Sequence, residues 1–208
     1  MTDFCAWLVA NGTSCLELLG FITGVVNVWL VTRENIWNWP IGILNALFYT
    51  VVFARSGLYS DTGLQVVYFI LSCYGWWHWS RGTKDASPVV VQRASASTLV
   101  VLAALGLAIW FVLKTVTAKI PGAVMPGVDA ALVAASLIAQ GMMTRKLLEN
   151  WVVWIVVDAA YIVVFNIRGL VVTSVLYAVF LCLAIVGLVQ WTRSARRMQI
   201  QGQVQTLA

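Results

Sequence analysis

The chain has 208 residues, 61% of them hydrophobic and only 10% charged, with a net charge of +5. A soluble domain of this length carries about 25% charged residues, so the composition excludes a water-soluble globule, and much of the surface must face lipid. The basic residues sit in short clusters between apolar runs and share no single face, which excludes a nucleic-acid-binding surface.

Near the N-terminus, Asp3 stands where a cleaved signal would carry Lys or Arg, so the first apolar segment is expected to be retained. Seven apolar runs follow, at about 17–32, 40–54, 63–80, 97–114, 127–144, 150–167 and 170–192. Each lies near the roughly 20 residues that cross a bilayer as a helix. The runs are continuous where a barrel strand would alternate, so the fold expected is an all-α polytopic membrane protein with seven transmembrane helices. The second run is short and is expected to extend through Trp37. The third ends in Trp76-Trp77-His78-Trp79, where His78 reads as part of an interfacial aromatic belt and not as a ligand. Gly20 and Gly24 read as a helix-packing motif. Cys5, Cys15, Cys73 and Cys182 have no CxxC spacing, so neither a metal nor a redox site is expected.

With seven spans the termini lie on opposite sides. One side collects Arg33, Arg81, Lys84, Arg93, Arg145, Lys146, Arg193, Arg196 and Arg197; the other has only Arg55, Lys114, Lys119 and Arg168. The positive-inside bias then predicts an external N-terminus and a cytoplasmic C-terminus in a bacterial inner membrane.

Sliding the sequence against itself by 112 positions aligns its halves without a gap. Thr32-Arg33 meets Thr144-Arg145, Asn38-Trp39 meets Asn150-Trp151, Tyr49 meets Tyr161, Gly75 meets Gly187 and Trp79 meets Trp191. The shift carries the first span onto the fifth. An even number of spans preserves direction, so two parallel three-helix repeats flank a linker helix, related by a pseudo-twofold axis along the membrane normal. The expected units are residues 1–81, a loop and linker helix over 82–120, a second repeat over 121–197, and a polar cytoplasmic tail over 198–208. Duplication of this kind favours transport over a receptor or a channel.

The halves differ on the second helix of each repeat. Trp151, Trp154, Asp158, Tyr161 and Phe165 are spaced to share one helical face; the matching face is Trp39, Gly42, Ala46, Tyr49 and Phe53. Trp154 thus replaces a glycine and Asp158 an alanine. An intramembrane carboxylate costs on the order of 3 kcal/mol or more. Asp158 either joins helices through Asn and Tyr or, beside Trp and Tyr, forms an anionic aromatic pocket for an organic cation. Further candidate substrate contacts are Asn150, Gln65, Tyr68, Gln140, Asn45, Tyr49 and Tyr177, whose amides and rings suit a ligand with an aromatic ring, a carboxamide and ribose hydroxyls. Tyr177 is the repeat mate of Gln65.

Ile36-Trp37-Asn38-Trp39-Pro40-Ile41-Gly42, the run from Leu58-Tyr59-Ser60-Asp61 through Leu64-Gln65-Val66 to Tyr74-Gly75-Trp76-Trp77, and Thr144-Arg145-Lys146 through Glu149-Asn150-Trp151-Val152-Val153-Trp154 resemble the PnuC family of vitamin transporters. That resemblance implies a three-one-three fold related to the SWEET sugar transporters. It also implies uptake of nicotinamide riboside, a cationic pyridinium nucleoside, by facilitated diffusion. Trapping by a cytoplasmic kinase is implied as well, with no cofactor and no ion-coupling site. The family's Trp-x-x-Trp motif falls on Trp151 and Trp154, which implies substrate contact there and at Asn150. Relatives of the same fold resemble thiamine or riboflavin transporters, and thiamine is also a cationic aromatic. A membrane enzyme is disfavoured because the chain has no Ser/His/Asp set, metal cluster or second buried acid. The expected partners are a small-molecule substrate and the bilayer, and a homo-oligomer is compatible with the sequence.

Overall fold

The computed structural model describes residues 15–55, 59–82, 89–119, 126–167 and 171–207. Within them run α1 (Cys15–Thr32), α2 (Asn38–Arg55), α3 (Tyr59–Arg81), α4 (Ala96–Thr117), α5 (Pro126–Thr144), α6 (Asn150–Ile167) and α7 (Val171–Leu207). Each run read from the sequence is one helix, with ends close to those expected. The exception is α7, which continues through Leu207 where a polar tail was expected from residue 198. No Pro or Gly interrupts the stretch from Thr192 to Gln201, and its Ala, Arg, Met and Gln residues favour helix once the apolar part has ended.

Among the described residues, five segments are long and apolar enough to cross a membrane: α1, α4, α5, α6 and Ser174–Met198 of α7. The other two helices have 18 and 23 residues, about 27 and 35 Å at 1.5 Å per residue. Their Trp, Tyr, Asn and Gln residues lower their hydropathy below that of the rest.

Packing closes six helices into a ring. α1 touches α2, α2 touches α3, α3 touches α5, α5 touches α6, α6 touches α7, and α7 returns to α1. α4 lies outside and packs on α5 alone among the described elements. Ser95 caps its start by accepting from the Thr98 N–H at 3.2 Å, and none of its residues is buried, as suits a helix whose surroundings are lipid.

Local geometry recurs at the spacing of 112 residues. The turn after α1 has Glu34 at φ 52° and the turn after α5 has Lys146 at φ 50°, left-handed conformations uncommon outside glycine. The Asn38 side chain donates to the Asn35 carbonyl at 2.6 Å, and that of Asn150 to the Leu147 carbonyl at 2.5 Å. Trp39 meets Trp79 edge-on at 5.2 Å, as Trp151 meets Trp191 at 5.4 Å. These four tryptophans join Val31, Val91, Met143, Leu148 and Ala184 in the main buried cluster, at the Arg-rich end of the ring.

Gly75 and Gly187 are what allow the tryptophans to seat. A Cβ on Gly75 would collide with the Trp39 ring, and one on Gly187 with the ring of Trp151. Overpacking a rigid core costs about 1–3 kcal/mol, more than the gain in helix propensity of up to about 1 kcal/mol from Gly to Ala. Gly187→Ala should therefore lower the thermal unfolding midpoint in detergent. Gly63→Ala, where a Cβ meets open space, should leave it unchanged or raise it. Equal midpoints for the two variants would refute this account of the core.

Candidate functional site

α6 carries the stripe singled out in the sequence, and the structure divides it by depth. At its first turn Asn150 is 0% and Trp151 2% exposed. Both stand in surroundings that match those of Asn38 and Trp39, at 1% each. The Oδ1 atoms of both asparagines and the Nε1 atoms of both tryptophans are buried without a partner among the described residues. Asn150 and Trp151 are thus sealed in the aromatic core of the Arg-rich end.

One turn further, Trp154 is half-buried and packs against that core from its edge. Its repeat mate Gly42 leaves room for Asn27, whose Nδ2 would lie 3.2 Å from an added Cβ. In the second half Ala139 stands at the position of Asn27. The large and small residues have exchanged helices between the halves.

Asp158 lies another turn along and is 3% exposed. Among the described residues no hydrogen bond or ion pair reaches its carboxylate. Tyrosines from two other helices stand near it, Tyr68 on α3 and Tyr177 on α7. Tyr68 lies near buried Ser136 and Asp158. Tyr177 lies near Tyr161, Tyr68, Asp158 and Tyr49. Ring contacts bind the group further: Tyr161 to Tyr177 at 4.6 Å, Tyr161 stacked on Phe165 at 5.5 Å, and Tyr177 edge-on to Phe180 at 5.8 Å. The Tyr49 ring lies over Gly20, whose added Cβ would fall 2.9 Å from it. A carboxylate set among tyrosines can hold an organic cation through charge and ring quadrupoles together.

Of the residues expected to contact substrate, the structure gathers Asp158, Tyr161, Tyr68, Tyr177 and Tyr49. Gln65 and Gln140 are half-buried on α3 and α5. Asn45 is engaged in packing: its amide donates to the Gly20 carbonyl at 2.6 Å and to the Thr23 hydroxyl at 3.1 Å, joining α2 to α1. The second half replaces this joint with apolar Leu132, Ala135 and Val157. Phe53 matches Phe165 in sequence, but its side chain lies outside those described.

The sequence reading did not anticipate how the ring closes at its Arg-rich end. The Lys146 ammonium donates to the Glu34 carboxylate at 2.9 Å and sits 4.3 Å over the Trp79 ring. Trp79 Nε1 donates to the Thr144 carbonyl and Trp191 Nε1 to the Val31 carbonyl, both at 3.0 Å. Each half thereby ties the other. Glu34 and Lys146 are themselves 112 residues apart, so a Glu-against-Lys mismatch in the repeat was the available signal.

A family model described as nicotinamide mononucleotide transporter matches residues 14–193. The nicotinamide riboside transporter PnuC of Escherichia coli K12 is 26% identical, the alignment covering 88% of this chain and 87% of that protein. The riboflavin/roseoflavin transporter RibM of Streptomyces davaonensis is 25% identical, with 87% of this chain and 86% of RibM covered. A crystal structure of the vitamin B3 transporter PnuC shares the fold, with a TM-score of 0.74 and 22% identity over 92% of this chain and 86% of that one. The family match runs from the start of α1 well into α7, and this multi-pass membrane protein belongs to the nicotinamide mononucleotide transporter family, that of PnuC.

Proposed function

We propose that this chain carries nicotinamide riboside across the bacterial inner membrane by facilitated diffusion, with its N-terminus outside and phosphorylation by a cytoplasmic kinase trapping the substrate. The observation that carries this reading is Asp158, sealed among tyrosines from several helices with no hydrogen-bond or ion-pair partner among the described residues. A buried unpaired carboxylate is costly, and a permanently cationic pyridinium ring supplies the missing charge. The relatives named as nicotinamide riboside transporters support the same substrate. Trp154, at the edge of the aromatic core, is the ring we assign to stacking, with Tyr161 and Tyr177 completing the wall; Gln65 and Gln140 are the amides available to ribose and carboxamide groups.

The mechanism we infer is alternating access between two parallel three-helix units, α1–α3 and α5–α7, with α4 as linker and all seven helices spanning. The recurrence of turns, asparagine bonds and tryptophan pairs at 112 residues supports that arrangement, as does the closed ring of six helices. Ties between the halves at the Arg-rich end, and Asp158 at 3% exposure, support assigning this arrangement to a state shut on that side.

RibM makes riboflavin the second reading, and thiamine is a further cationic aromatic. Titration calorimetry of the purified protein with nicotinamide riboside, thiamine and riboflavin separates them. We expect the riboside to bind, and Asp158→Asn to weaken it at least tenfold while changing riboflavin binding little. Tight binding of riboflavin or thiamine without detectable riboside binding would sink the assignment. Riboside binding that Asp158→Asn leaves unchanged would remove the carboxylate from it.

A further inference from the structure

A cavity lies away from the tyrosine cluster. It occupies about 380 Å³ at the Arg-rich end, between α3, the segment before α4 and the turn after α5, and is lined by Tyr74, His78, Val89, Val90, Gln92 and Arg145. We propose that it binds a phosphate-bearing anion.

The lining supplies donors and no carboxylate. Arg145 contributes a guanidinium, His78 an imidazole, Gln92 an amide and Tyr74 a hydroxyl, the set that recognises phosphate oxygens. The acids nearest Arg145 in sequence are already engaged. Glu149 accepts from the Ala94 N–H at 2.9 Å, and Glu34 accepts from Lys146. No ion pair reaches Arg145 among the described residues. Comparison of the halves explains why this arginine is available. Its repeat mate Arg33 lies 5.6 Å over the Trp29 ring, whereas the residue matching Trp29 in the second half is Gly141. Lacking that ring, Arg145 lines the cavity instead.

The walls are held by bonds independent of any ligand. Gln92 N–H donates to the Lys146 carbonyl at 3.1 Å, Leu148 N–H donates to the Gln92 carbonyl at 2.9 Å, and an isolated parallel bridge pairs Gln92 with Leu147. The site exists once, because the segment before α4 has no counterpart in the other half and the mates of Tyr74 and His78 are Val186 and Gln190. Its volume exceeds that of inorganic phosphate and suits a phosphorylated small molecule, and its position at a membrane-facing end gives a lipid headgroup the same access.

The probes are a nucleoside 5′-monophosphate, titrated into lipid-free protein by calorimetry, and phosphatidic acid, followed by native mass spectrometry. Binding of either probe to wild type, weakened at least tenfold by Arg145→Gln and also by His78→Gln, supports the site, and the probe that binds identifies the source. Each variant must keep the wild-type affinity for the unphosphorylated vitamin, which separates this cavity from the tyrosine cluster. Failure of both probes to bind at millimolar concentration overturns the proposal, as does binding unaffected by both substitutions. This outcome is independent of which vitamin the chain carries.

Discussion

Trp154→Ala should abolish measurable substrate binding while leaving the protein folded in detergent. The ring is half-buried against the edge of the main aromatic core and outside the sealed cluster that holds Trp39, Trp79, Trp151 and Trp191. Losing it leaves that cluster's four indoles and their hydrogen bonds in place. A stacked cation on a desolvated tryptophan is worth about 2 kcal/mol or more, and removing such an anchor from a pocket costs about 2–4 kcal/mol, roughly 30- to 1000-fold in affinity. Trp151→Ala should behave differently. That indole is 2% exposed and fills the space over Gly187, so its removal opens a cavity and costs about 3–5 kcal/mol of stability. Calorimetry together with thermal unfolding of both variants distinguishes the roles. Unchanged affinity in Trp154→Ala would show that this ring only packs against the aromatic core.

The contrast between Trp151 and Trp154 also shows how far residue pattern carries. Spacing of three and four put both on one helical face, and that face is real. Periodicity says nothing, however, about position along the helix axis relative to a neighbour. Trp151 falls where α7 presents Gly187 and Trp191, and is enclosed; Trp154, one turn on, reaches the edge of the cluster. The helices themselves were readable because hydropathy depends on composition alone, and their ends recur because both halves use the same turn. The continuation of α7 past Trp191 was not readable from hydropathy, since a solvated helix and a polar tail look alike to that measure. Asn45 was read as a substrate contact because amides interleaved with Trp and Tyr suit a ligand with ribose hydroxyls and a carboxamide. In the structure its amide donates to the Gly20 carbonyl, open to it because Gly20 and Gly24 let α1 and α2 approach. The converse holds for Asp158, where the structure supplies tyrosine rings and no hydrogen bond among the described residues.

Lys146→Met should destabilise the state closed at the Arg-rich end, and the combined exchange Glu34→Lys with Lys146→Glu should restore it. The pair is asymmetric in burial, with the Lys146 side chain 10% and the Glu34 side chain 25% exposed. Removing one partner of a buried pair costs about 3–5 kcal/mol; partial solvation of Glu34 reduces this to roughly 2–3 kcal/mol, because the stranded carboxylate can still be hydrated. The two residues occupy equivalent left-handed positions in the two halves and meet each other. Exchanging their charges therefore re-forms the same bond with its direction reversed, at the cost only of moving the ammonium off Trp79. The remaining ties, from Trp79 to Thr144 and from Trp191 to Val31, persist in every variant. A loss of roughly 2–3 kcal/mol on the closed side moves a two-state equilibrium by about 30- to 150-fold toward opening at that end. Single-cysteine labelling at Thr144 with a membrane-impermeant maleimide, applied from the Arg-rich side, reads that opening directly. Labelling should speed up in Lys146→Met and return to the wild-type rate in the exchanged double variant. A double variant that labels as fast as the single one would show that Lys146 acts through its contact with Trp79 and not through Glu34.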